Sequence, residues 1–307
     1  MIQMWIKIKN YLKINNFYAH LLFFDIIVLR EAEKMKITAI VENTAFSDRF
    51  KCVHGLSFYI ETPVHKILFD MGPDDTFYKN AETLGIKLQD VDIAFISHGH
   101  NDHGGALKLF CNVNKKAKIY VREDVFEKHY ACDNENERYI GLDEAFKINE
   151  RIVFVKDRLK IDDELFVFSS VKGRKYFSSA NNTLFAEKNG VKVQDDFSHE
   201  QNLVITAENK TVIIGGCAHN GIVNVLDKAK ELLGRDADVV VSGFHLMNPE
   251  KGRSESDEIV YGVANELLKH KSMYYTCHCT GLESYERMKK AMKNRLEYIA
   301  AGQSIII

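Results

Sequence analysis

Six residues, His98-Gly99-His100-Asn101-Asp102-His103, constrain this chain more than any other feature. They follow the apolar run Val91-Asp92-Ile93-Ala94-Phe95-Ile96 and a single Ser97, and Gly104-Gly105 come next. The apolar run reads as a buried strand, and a strand that stops abruptly is a rigid platform. Three imidazoles and a carboxylate at its tip form a donor set for a zinc-like cation. One ion cannot easily use four side chains from so short a stretch. Two neighbouring ions can, with His98 and His100 on one and Asp102 and His103 on the other. Paired ions make hydroxide at neutral pH and hold a charged leaving group. A histidine-rich surface loop is the competing reading, and the preceding strand argues against it.

Further motifs stand in a fixed order along the chain: His54-Gly55-Leu56-Ser57, Ile67-Leu68-Phe69-Asp70-Met71-Gly72, Gly216-Cys217-Ala218-His219-Asn220-Gly221-Ile222, Gly243-Phe244-His245-Leu246 and His278-Cys279-Thr280-Gly281. The six-residue motif resembles the HxHxDH signature of the metallo-β-lactamase fold superfamily, a group of mostly dinuclear metallohydrolases. The full set resembles the branch that contains the archaeal dihydropterin-ribofuranosylaminobenzene phosphate synthase. The resemblance runs from about Lys36 to the C-terminus.

His219 is the best fifth ligand, because it follows a buried run and a Gly-Gly turn that lets backbone approach an ion. His278 completes the second ion by analogy with the superfamily's last ligand motif. His245 occupies a similar strand tip one helix earlier, so the choice between the two stays open. His199, with Glu200 beside it, precedes Cys217 at a distance that fits the superfamily's third ligand histidine. If His199 takes that role, His219 moves behind the ligands. The superfamily usually bridges its ions with a carboxylate; here Cys217 stands instead, either as a soft thiolate ligand or as an inert buried thiol. By the same resemblance Asp70 orients a ligand histidine through a hydrogen bond, and His54 faces substrate.

Strands read at Lys36–Glu42, Leu56–Glu61 and Lys66–Asp70, and a helix at Asp75–Leu84 feeds the strand that carries the motif. His103–Phe110 reads as a helix start, and 123–150 as helix plus loop near the mouth of the site. Strands follow at 151–155, 165–170, 183–187, 203–207 and 211–215. The last third alternates helix and strand: helices 222–233, 255–269 and 283–293 lead to strands at 238–242, 273–276 and 296–300. This order predicts an α/β fold, an αββα sandwich of two mixed β-sheets flanked by helices. Three prolines and no Ser/Gly-rich linker predict one domain over 35–307. Residues 1–34 read as an N-terminal extension ahead of the natural start, with a peripheral amphipathic helix as the other reading. Their apolar-leaning stretch is too short to cross a bilayer.

A formal net charge of −2 and the lack of a long basic arm argue against nucleic acid as partner. Six cysteines without regular spacing predict a reduced, cytoplasmic protein. Lys172 and Arg174, with Lys175 and Tyr176, form a basic-aromatic cluster that either grips a phosphate or is plain surface charge. The helix start at Arg253-Ser254-Glu255-Ser256 is either an anion site or an ordinary cap. The sequence therefore predicts a metallohydrolase with two divalent ions, zinc foremost and manganese or iron as alternatives, in which Asp102 is both ligand and orienter of the attacking water. Its substrate is expected to be a small phosphorylated or anionic metabolite. A pterin-type synthase is the alternative enzyme. A metal- or metabolite-binding protein on a degenerate catalytic scaffold is the alternative outside catalysis, supported by the missing bridging carboxylate.

Overall fold

The structure is a computed structural model and describes residues 34–132, 136–248 and 252–307. Two seven-stranded sheets carry the fold. The first runs β20 (Ser304–Ile306), β1 (Lys36–Val41), β2 (Ser57–Glu61), β3 (Lys66–Phe69), β4 (Ile93–Phe95), β5 (Lys118–Arg122), β8 (Ile152–Val155). The second runs β19 (Leu296–Tyr298), β18 (Met273–Thr276), β15 (Val239–Ser242), β14 (Lys210–Ile214), β13 (Gln201–Ala207), β10 (Leu165–Ser169), β9 (Arg158–Lys160). Each sheet is antiparallel on one side and parallel on the other; the parallel members are β3, β4, β5 and β8 in the first and β14, β15, β18 and β19 in the second.

Strands inside such a sandwich bury both faces, so they read as nearly continuous apolar runs. In β13, Leu203, Ile205 and Ala207 enter the core between the sheets, while Val204 faces the other way into the helix-side core. β15 divides likewise, Val239 and Val241 inward and Val240 outward. Each fully buried Val, Leu or Ile contributes about 1.5–3 kcal/mol, so a register slip of one residue would be costly on both faces.

Helices cover the outer faces. α1 (Thr76–Leu84) and α3 (Leu107–Val113) pack Phe77, Ala81, Leu107 and Phe110 onto the first sheet, and the one-turn α2 (Asn101–Gly104) lies in the motif itself. On the second sheet, α4 (Ile222–Leu233), α5 (Asp257–Leu267) and α6 (Leu282–Met292) contribute Leu226, Val263 and Met288 among others. The αββα expectation holds. The helix expected at 255–269 begins two residues later, with the Ser256 side chain accepting from Ile259 N–H as N-cap; Ser254 belongs to the two-stranded ribbon β16 (Met247–Asn248) and β17 (Arg253–Ser254).

One region departs from the sequence reading. Residues 123–150, expected as helix plus loop, instead hold β6 (Lys128–Cys132) and β7 (Glu137–Tyr139), followed by a 3-10 turn at Glu144–Ile148. β6 pairs with β11 (Leu184–Lys188), whose other neighbour is β12 (Val191–Gln194), making a separate four-stranded sheet. β6 and β11 lie over fifty residues apart in sequence, so the signal for β6 is its partner and not its own pattern. Nearly all of the expected extension at 1–34 lies outside the described residues. Among the described residues no helix is long and apolar enough to cross a membrane.

Candidate metal centre

Each candidate ligand sits just past the end of a parallel strand. His98 to His103 follow β4, His219 follows β14, His245 follows β15 and His278 follows β18. Ligand sites in α/β sheets gather at these carboxyl ends. Four residues here hold left-handed backbone without being glycine: Asp70 (φ 59), Ala218 (φ 54), His245 (φ 48) and His278 (φ 50). Such conformations cost about 1–3 kcal/mol each and persist where the surroundings over-determine them.

Three buried carboxylates hold the turns at Asp70, Ala218 and His278. Asp70 accepts from the Ser97 N–H and hydroxyl and from His103 Nδ1, each at 2.7 Å. Glu200 accepts from the N–H of His219 at 2.6 Å, and from the N–H and side-chain amide of Asn220 at 3.1 and 2.8 Å. Glu42 accepts from the N–H of His278 at 2.6 Å, the Tyr298 hydroxyl at 2.5 Å, and the N–H and hydroxyl of Thr44 at 2.6 Å. Burial pushes the Glu200 carboxyl up, against the hydrogen bonds from Asn220 and His219. Close backbone approach matters too: a Cβ at Gly216 would collide with Ser97, so glycine there lets the β14 loop meet the motif.

The hydrogen bonds also fix where the ring protons lie. His103 Nδ1 donates to Asp70, so its Nε2 points inward. His278 Nδ1 donates to Asn43 Oδ1 at 2.8 Å, and the Asn43 amide is oriented by its own bond to the His278 carbonyl. His219 Nδ1 donates to Asn181 Oδ1 at 3.0 Å, with Asn181 Nδ2 bonded to the His219 carbonyl. His98 Nδ1 donates to the Ser97 hydroxyl at 2.9 Å, whose own proton goes to Asp70. Four rings thus turn Nε2 to a common interior, the tautomer of a metal-ligating histidine with an outer partner.

The spacing of these inward atoms fits cations. Nε2 of His98 and Nε2 of His219 are 3.2 Å apart, as are those of His103 and His278. Asp102 Oδ2 is 3.5 Å from His103 Nε2 and 3.2 Å from His278 Nε2, and Cys217 Sγ is 3.2 Å from His103 Nε2. Nitrogen and oxygen ligands of a tetrahedral zinc stand roughly 3.3–3.4 Å apart, given bonds of about 2.0–2.1 Å. His98, His100 and His219 form one such group; Cys217 joins His98 with His103, and also His278 with Cys279. Burial lowers the His103 pKa, but Asp102 and Asp70 push it up to about 9, so the pocket favours positive charge at that point. Burial raises the Asp102 pKa, and His103, His278 and His54 more than offset it, holding the carboxyl well below its usual range.

The group opens into a cavity of about 250 Å³. His54, His100, Asp102, Cys217, His219, His245, His278 and Cys279 lie along its floor and sides. Ala131, Arg138, Thr183 and Leu184, from or beside the small four-stranded sheet, add a wall. Arg138 is the only lysine or arginine among the described residues lining it.

A family model described as the metallo-β-lactamase superfamily matches residues 51–176, which include the motif. Tm1679, described as a metal-dependent hydrolase of the β-lactamase superfamily, superimposes with a TM-score of 0.74 at 28% identity, covering 89% of this chain and 99% of that one. The chain has the metallo-β-lactamase fold, and its residues 51–176 match that superfamily's model. A curated relative from Methanocaldococcus jannaschii, named 7,8-dihydropterin-6-methyl-4-(beta-D-ribofuranosyl)-aminobenzene-5'-phosphate synthase, is 26% identical over 293 residues, covering 90% of this chain and 97% of the relative. Zinc-bound PqqB from Methylobacterium extorquens shares the fold at a TM-score of 0.53 and 11% identity, over 88% of this chain and 99% of that one.

Other residues of this metallo-β-lactamase-fold chain fall in distinct places. His245 reaches the cavity with both ring nitrogens buried and no hydrogen-bond partner among the described residues; its ring lies 4.1 Å from that of His219. His54 Nε2 is 3.5 Å from Asp102. His199 turns away from the four inward rings: its Nδ1 accepts the Gly99 N–H at 2.9 Å and its Nε2 donates to Asp195 at 3.1 Å. Lys172 and Arg174, read in sequence as a possible phosphate grip, do not line the cavity. Lys172 borders a separate surface cleft beside Asp157 and Glu231. Arg174 donates to Asn220 Oδ1 at 3.0 Å and to the Gly173 carbonyl at 2.8 Å. Sequence reasoning missed Arg138, Asn43, Asn181, His129 and Asp195. Only His129 carried a signal, as a histidine in a stretch otherwise read as loop.

Proposed function

We propose that the protein is a metal-dependent hydrolase acting on a small phosphorylated or otherwise anionic metabolite. The observation that carries this reading is the convergence of inward-turned ring nitrogens on one ionised carboxylate at the base of a cavity. His98, His100 and His219 would hold one divalent ion, and Asp102, His103 and His278 a second, with Cys217 Sγ between the groups as a soft donor. Zinc suits the set best, and manganese or iron is also compatible with it. Bound ions supply a water acidified toward neutral pH and positive charge opposite a developing oxyanion.

The chain's own residues do the rest. Asp102, ionised at neutral pH, would accept a hydrogen bond from the attacking water and so aim its lone pair. Asp70, Asn43, Asn181 and Ser97 hold the rings against rotation, which keeps the site preorganised. Arg138 lines the cavity from the small sheet and adds positive charge there. The cavity walls exclude bulk water from most of the floor, where the ligand histidines are buried.

A screen of small phosphomonoesters and phosphodiesters with the zinc- or manganese-loaded chain tests the proposal. Turnover should appear, and Asp102→Ala should lower it at least about 100-fold with the far-ultraviolet circular dichroism unchanged. A variant that keeps most of its rate with metal bound would contradict the mechanism. The name of the Methanocaldococcus jannaschii relative favours a second reading, a synthase. A synthase would leave simple phosphoesters intact and turn over only with a phosphorylated ribosyl-arylamine substrate.

A further inference from the structure

Behind the motif lies a second cluster of buried titratable side chains that the proposed chemistry does not use. Asp195, 4% exposed, sits at its centre. Its Oδ2 accepts from His129 Nδ1 and from His199 Nε2, both at 3.1 Å, and its Oδ1 accepts the Phe197 N–H at 2.7 Å. His199 cannot give Nε2 to a cation in this arrangement. Its Nδ1 accepts the Gly99 N–H, so the ring proton must be on Nε2, where Asp195 receives it. His100, His129, Asp195 and His199 stand close enough together to hold an ion, but with the His199 proton on Nε2 the cluster reads as a braced carboxylate.

What it braces is His100. Four of the inward-facing histidines have an outer partner for the ring proton: Ser97 for His98, Asp70 for His103, Asn181 for His219 and Asn43 for His278. Among the five histidines assigned above to the two ions, His100 is the exception. Its Nε2 is buried with no hydrogen-bond partner among the described residues, and Asp195 Oδ2 lies 4.0 Å from it. A buried ring N–H left without an acceptor costs about 1–3 kcal/mol. Gly99, between the two histidines of the pair, makes the approach possible: a Cβ there would stand 2.5 Å from the Val125 carbonyl oxygen and 2.6 Å from His129 Nε2.

We propose that Asp195, held by His129 and His199, is the positioning residue for His100. When the His98–His100–His219 group takes up a cation, the His100 ring closes by on the order of 1 Å, bringing Nε2–H within hydrogen-bond range of Asp195 Oδ2. That bond fixes the ring tautomer, as the partners of the other four rings do. The inference rests on the metal centre proposed above, and its consequences are separable from those of that centre.

The test uses the full chain and zinc alone as probe. Zinc affinity is measured by chelator competition, and the ring N–H of His100 by long-range proton–nitrogen NMR, assigned by its loss in His100→Gln. Asp195→Asn keeps the size of the side chain while removing its charge; it should weaken one zinc site about 10- to 100-fold and shift or abolish the His100 Nε2–H signal. His129→Gln, which removes one brace and leaves the carboxylate, should weaken the same site to a smaller degree and serves if Asp195→Asn does not fold. Zinc affinity within twofold of the parent in a folded variant, with the His100 signal unmoved, would overturn the role of Asp195 and leave the centre standing. A parent chain that takes up no zinc would overturn both.

Discussion

Asp70 shows how much depends on single side chains here. It is fully buried, holds left-handed backbone, and receives three donors from Ser97 and His103. Removing an acceptor strands its donors, at about 1–3 kcal/mol for each buried group. Asp70→Ala should therefore destabilise the chain by roughly 3 kcal/mol or more in urea unfolding, and should also lower the metal content. A loss under about 1 kcal/mol would mean that the donors find other partners. The candidate ligand histidines stood out in the sequence because they stand at the ends of apolar runs. Their outer partners were not: Asn43 meets His278 across 235 positions of chain, and Asn181 meets His219 across 38. Such pairs are made by the fold, and an asparagine in a loop carries no local mark of which ring it will hold.

At the scale of elements, helices and parallel strands of the last third were legible almost to the residue. The expected helix at 222–233 and strand at 273–276 coincide with α4 and β18. Strong helical periodicity between buried strands leaves little ambiguity. The small four-stranded sheet was not legible, because β7 and β12 expose every residue and lack an apolar face. Asp236 illustrates a tie between elements. Burial raises its pKa, but hydrogen bonds from His270, Lys230 and the Lys271 N–H hold it at about 2, against an ordinary 3.8. It links the end of α4 to the turn after α5. A carboxylate with a depressed folded-state pKa stabilises the fold above its unfolded value, and that contribution is lost as pH falls through the folded value. Asp236→Asn should thus be less stable than the parent at pH 7, with the gap constant down to about pH 5. The gap should close between pH 3.8 and pH 2. Urea midpoints across that range check it, and a gap that widens on acidification would refute the assignment.

For the whole molecule, two half-parallel sheets meet so that the carboxyl ends of β4, β14, β15 and β18 face one space. Neither sheet alone holds a complete set: His98 to His103 come from the first and His219 and His278 from the second. Ions bound between them should stabilise the native state by mass action, since the unfolded chain scatters the ligands. This coupling between the sheets was legible only as an architecture, because the sequence order of strands and helices indicates layers but not which tips converge. The most direct measurement is the metal content of the full chain, purified without affinity tag or added metal, by elemental analysis. Two inward-facing ligand groups predict close to two divalent ions per chain. One ion or none would contradict the two-ion centre on which the proposed hydrolysis depends.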